Sequence, residues 1–101
     1  MNQKAMMKQL QQMQAAMAQA QQELAELEVT GQGGNGLVTA TCTAAGEWRS
    51  VTIDPKLLDP DDPEMVQDLV LAALNDAKAA AEAAQQARLG PLTSGINLPG
   101  F

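Results

Sequence analysis

Residues 6–27, Met6-Met7-Lys8-Gln9-Leu10-Gln11-Gln12-Met13-Gln14-Ala15-Ala16-Met17-Ala18-Gln19-Ala20-Gln21-Gln22-Glu23-Leu24-Ala25-Glu26-Leu27, decide the fold. Within them Met6, Leu10, Met13, Met17, Ala20, Leu24 and Leu27 recur at spacings of four and three, unbroken for three heptads. That period keeps a narrow apolar seam on one side of a helix, the pattern by which helices pair along their length. The positions between are mostly Gln and Ala, so the rest of the surface faces water. The spacing predicts a helix from about residue 3 to about residue 28, nearly 40 Å long at ~1.5 Å per residue, more than a small globule covers. A chain of 101 residues that devotes its first quarter to such a helix is built to associate.

Beyond it, Gly31-Gln32-Gly33-Gly34-Asn35-Gly36 is expected to break regular structure and link helix to strand. Leu37 to Thr43 is rich in β-branched residues, with Val38, Ala40 and Cys42 on one face. Ala44-Ala45-Gly46 reads as a turn and Trp48 to Ile53 as the return strand of a hairpin, Val51 and Ile53 sharing a face and Trp48 on the other. Lys56-Leu57-Leu58 is expected to form a short third extended piece. Asp61-Asp62-Pro63-Glu64 then carries a capping Asp, a first-turn proline and acids at the positive end of a helix dipole. That second helix is expected to run to about Arg88-Leu89, where Gly90-Pro91 stops it. Its seam, Val66, Val70, Ala73, Ala77, Ala80 and Ala84, is small enough for another helix to approach closely. Leu92 to Phe101 reads as a flexible tail. The fold class is α+β in a single domain over residues 1–101: a long N-terminal helix, a small antiparallel sheet of two or three strands, and a long C-terminal helix.

Composition narrows the function. No histidine is present, which removes the commonest general base and metal ligand, and the single Cys42 supports neither an internal disulfide nor a Cys-rich zinc site. Two aromatics, Trp48 and Phe101, give little bulk for a core, so burial in a dimer is an expected supplement. No signal peptide and no apolar run near 18 residues is present, so a cytosolic location is the default. Gly31, Gly33 and Gly36 match G-x-G-x-x-G, but a helix precedes them and a strand follows, the reverse of a dinucleotide site. The acids of residues 54–68 lack the glycine and alternating spacing of a calcium loop, and helix capping accounts for Asp61, Asp62 and Glu64. Cys42 reads as a small core side chain, and the seam methionines as packing. Ser50, Ser94 and the threonines have no base beside them, so no enzyme, metal or cofactor is expected.

The net charge is −6, and its distribution is uneven. Residues 1–22 hold Lys4 and Lys8 and no acid, whereas residues 54–68 hold six acids against Lys56. If the two helix seams pack antiparallel, the ends remote from the sheet carry Lys4, Lys8, Arg88 and, further in, Lys78. An acidic body then bears arms with basic tips, and these four residues are the expected contacts to DNA phosphates. Arg49 and Lys56, nearer the acids, are second choices. A lack of surface aromatics argues against a platform for single strands. The competing reading is a protein-interaction module whose acidic, Met- and Gln-rich helices hold a protein partner without touching DNA.

The words Leu24-Ala25-Glu26-Leu27-Glu28-Val29-Thr30-Gly31, Gly36-Leu37-Val38, Val51-Thr52-Ile53-Asp54-Pro55, Leu57-Leu58-Asp59-Pro60, Leu69 to Ala77 and Leu92 to Phe101 follow one another in this order. With them the chain closely resembles the YbaB/EbfC family of bacterial nucleoid-associated proteins, nearly end to end. The resemblance implies a tweezer-like homodimer of helix–strands–helix protomers in the nucleoid. It also implies direct binding of double-stranded DNA by the helical arms, with effects on DNA conformation and gene expression. A DNA replication or repair protein is a further partner it implies. Where family members often carry lysine, this chain holds Gln19, Ala45, Thr52 and Pro91.

Overall fold

In the computed structural model, which describes residues 2–93, α1 (Gln3–Glu26) leads directly into β1 (Glu28–Gly33). β2 (Val38–Thr43), β3 (Trp48–Ile53), a 3-10 turn (Pro55–Leu57) and α2 (Pro63–Thr93) follow. The sheet is antiparallel in the order β1-β2-β3, and the molecule measures 71 × 27 × 16 Å. The α+β class holds, with three strands.

The third strand is not where the sequence pointed. Glu28–Gly33, expected to pass from helix into a broken linker, pairs with β2 along its whole length, Gly31 opposite Ala40 and Gly33 opposite Val38. Glycine disfavours strands, but here it answers a packing need. An added Cβ on Gly31 would lie 2.1 Å from the Ala77 nitrogen, and one on Gly33 would lie 2.2 Å from the Leu69 carbonyl oxygen. The backbone of α2 therefore rests on the backbone of β1. Val38, Ala40 and Cys42 of β2 meet Ala73, Ala77 and Ala81 of α2, with Leu57 closing the core. The alanine seam of α2 admits two close neighbours, the glycine strand at Ala73 and Ala77 and, at Ala84, the last turn of α1.

Other differences have equally local causes. Lys56-Leu57-Leu58 is not extended: Asp54 Oδ1 accepts the Lys56 N–H at 2.9 Å and the chain coils into the 3-10 turn. Trp48 shares its face with Val51 and Ile53, because a bulge at Arg49 sets Trp48 opposite Cys42 while Ser50 stays opposite Thr41. Trp48 is 49% exposed, so an aromatic does reach the surface. α2 starts as expected, with Asp62 Oδ1 accepting the Met65 N–H at 3.3 Å. It continues through Gly90 and Pro91 to Thr93. The clash that normally keeps the residue before proline out of the helical region involves its Cβ, which Gly90 lacks. Leu92 and Thr93 thus belong to α2, and the rest of the expected tail lies outside the described residues.

One edge of the sheet is closed by a side chain. The outward N–H of Gln32 on β1 donates to Asp76 Oδ2 of α2 at 2.8 Å, so the helix occupies an edge that would otherwise template a further strand. Asp76→Ala is expected to lower stability by about 1 kcal/mol. Hydrogen exchange checks it, with faster exchange of the Gln32 amide as the local signature.

Candidate nucleic-acid interface

Among the described residues, only the last turns of α1 touch the rest of the molecule. Ala20 and Leu24 are buried and Ala16 and Met17 half-buried, whereas every described residue before Ala16 is exposed. Leu24 and Leu27 lie beside Ala84 and Ala87, and Glu23 meets Arg88, so the helices run antiparallel. The first half of α1 projects beyond α2 as an arm. No described residue of another element packs on it, and its sequence explains why it forms a helix without such support. Residues 3–26 include no β-branched residue, glycine or proline, and the Asn2 side chain caps the helix by accepting the Lys4 N–H at 3.0 Å.

The arm is electrostatically one-sided. Lys4 and Lys8 are one turn apart on the same face, roughly opposite the Met6-Leu10-Met13 seam at 3.6 residues per turn. No acid stands in the first turn of α1, so the unpaired N–H groups and the positive end of the dipole add to the two ammonium groups. That backbone contribution completes the tip; its signal in the sequence was the absence of any acid before Glu23.

The four expected phosphate contacts are not brought together. Lys4 and Lys8 share the arm. Arg88 lies near the base of the arm with its Nε donating to Glu23 Oε2 at 2.5 Å. The hydrogen bond from the Arg88 guanidinium draws the Glu23 carboxyl below its ordinary range, and donating to that carboxylate raises Arg88 in turn. Both groups are well exposed, so this pair contributes little to stability. Lys78 lies over the sheet, in a groove of about 430 Å³ it shares with Cys42, Trp48 and Glu82. Of the second choices, Arg49 is paired with Glu47 at 3.2 Å, and Lys56 follows Asp54 at the acidic end.

The carboxylates of residues 54–68 work locally. Asp54, Asp59 and Asp62 each accept a backbone N–H two or three residues on. Among the described residues, no three acids or cysteines converge as metal ligands. Buried Cys42 lies against the Ala77 carbonyl in the core. No described helix is long and apolar enough to cross a membrane.

Residues 1–96 match the family described as the YbaB/EbfC DNA-binding family. A nucleoid-associated protein of Nocardia farcinica is 55% identical over 93 residues, covering 92% of this chain and 84% of its own length. A nucleoid-associated protein of Saccharopolyspora erythraea is 48% identical over 109 residues, covering 99% and 94%. The fold is similar to the crystal structure of the uncharacterized protein HP0035 from Helicobacter pylori, with a TM-score of 0.78 at 25% identity over 91% of this chain and 97% of that one.

Proposed function

The chain belongs to the YbaB/EbfC DNA-binding family, and from that premise we propose that it is a homodimeric nucleoid-associated protein that holds double-stranded DNA by its phosphates. The observation that carries this reading is the acid-free arm, on which Lys4, Lys8 and a helix N-terminus form the least compensated positive surface described. Lys78 is the third contact. Arg88 joins when it leaves Glu23. Ammonium groups on phosphates position a duplex without reading base edges, so little sequence preference is expected. The acidic end of the molecule turns away from DNA, which leaves the arms as the gripping elements. Two arms held on one duplex would alter its conformation, and through it gene expression.

Fluorescence anisotropy of a labelled duplex at several salt concentrations tests this. The three lysine contacts per chain, Lys4, Lys8 and Lys78, limit the slope of log affinity against log salt to about −5 for a dimer, at about −0.9 per phosphate. Glu23→Gln releases Arg88 and is expected to steepen the slope toward about −7, the limit for four contacts per chain. Absence of binding at the lowest salt overturns the proposal. The protein-interaction reading would then take its place, checked by a nuclease-treated pulldown.

A further inference from the structure

α2 packs on β1 and β2 but leaves most of the same face of β3 open. The step between helix and strand is a groove of about 430 Å³, inside the ~300–1,000 Å³ of small-ligand sites. Its floor is recessed because Cys42 and Ala81 are small and buried. One wall is Trp48. The bulge at Arg49 turns this ring onto the α2 side of the sheet, and bulges beside binding sites re-aim side chains in this way. The indole is half exposed, so ring surface is open to the groove. The far end is fixed by Gln85, whose Nε2 donates to the Ala44 carbonyl at 2.6 Å and ties α2 to the β2–β3 turn.

The opposite wall carries Lys78 and Glu82, one helical turn apart on α2. Lysine comes first, the weaker order for such a pair, and among the described residues neither side chain forms an ion pair or a hydrogen bond. An open ring, an unpaired ammonium and an unpaired carboxylate thus border one groove, and a nucleotide complements all three. Its base stacks on an indole, its phosphate takes an ammonium, and the exocyclic amino group of adenine, cytosine or guanine donates to a carboxylate. We propose that this groove holds one unstacked nucleotide, with its base on Trp48, its phosphate at Lys78 and its amino group on Glu82. Thymine has no such amino group and is disfavoured. The nucleotide comes either from an unpaired position in DNA or from a free nucleoside monophosphate, and only the first source rests on the DNA binding proposed above.

Trp48 is the sole tryptophan and the chain has no tyrosine, so the emission of the full protein reports on this groove directly. The probes are a fully paired duplex, the same duplex with one unpaired adenine or one unpaired thymine, and adenosine monophosphate. The duplex with unpaired adenine is expected to quench Trp48 and to bind at least about fivefold tighter than the paired one, with a smaller gain for thymine. Trp48→Leu is expected to abolish the gain and keep the affinity for paired duplex within about twofold. Glu82→Ala, at an exposed helix position that alanine suits, is expected to fold and to bring adenine down to thymine. Quenching by adenosine monophosphate at lower concentration than by the unpaired-adenine duplex assigns the groove to a free nucleotide, and the reverse order assigns it to DNA. Equal affinity for paired and unpaired duplexes, with emission unchanged by adenosine monophosphate, overturns the proposal. So does a gain that survives Trp48→Leu, and an equal gain for thymine overturns the Glu82 contact. A protein that binds no duplex defeats the DNA reading alone, and adenosine monophosphate then decides the groove, quenching carrying it and unchanged emission overturning it.

Discussion

Gly31→Ala is expected to lower the stability of this protein by roughly 3 kcal/mol, at the top of the usual range for overpacking. In a chain of 101 residues that is a fall in Tm of the order of 15 °C. The size of the effect follows from what the methyl group meets. It would sit 2.1 Å from the nitrogen, 2.7 Å from the Cα of Ala77 and 2.5 Å from the carbonyl oxygen of Ala73. None of these can rotate aside, so α2 must lift from the sheet, and the contact of Ala73, Ala77 and Ala81 with Val38, Ala40 and Cys42 goes with it. Gly33→Ala, 2.2 Å from the Leu69 carbonyl oxygen, is expected to behave alike. Because the collision is with backbone, Ala77→Gly should not rescue Gly31→Ala. Thermal unfolding of the single and double variants decides the matter. A Tm within a few degrees of the parent, or rescue by Ala77→Gly, would mean that α2 rides higher on β1 than described.

The second large effect is on DNA. Lys4→Glu combined with Lys8→Glu is expected to reduce duplex affinity at least tenfold at low salt. In a dimer it removes four phosphate contacts, so the salt slope becomes shallower by about 3.6. Among the described residues the arm touches no other element, and both lysines are exposed, so Tm should not move. That separates loss of binding from loss of fold. If affinity is unchanged, the arm is not the DNA surface, and the Lys78 face of the sheet is the next region to reverse.

Much of this architecture was legible one helical turn at a time. The seam of α1, the cap at Asp62 and the inward set Val38, Ala40 and Cys42 depend on neighbours two to four residues away. Periodicity and capping chemistry read such neighbours directly. The candidate site was legible in part. An arm with Lys4 and Lys8 and no acid follows from composition along one helix. The setting of the other two basic residues does not, since Arg88 finds Glu23 across 65 positions and Lys78 finds its groove only once β3 is in place.

The sequence by itself thus determined the helix–sheet–helix order, the heptad seam and the polarity of charge, all of which are properties of local spacing. Tertiary structure alone decided that a glycine-rich stretch becomes a strand, because the benefit lies in the close approach of α2 and not in the strand's own propensity. It decided the face of Trp48 through a single bulged residue, which reverses the alternation that any strand pattern assumes. It also decided which cations remain free, since an ion pair depends on where two helices end relative to each other.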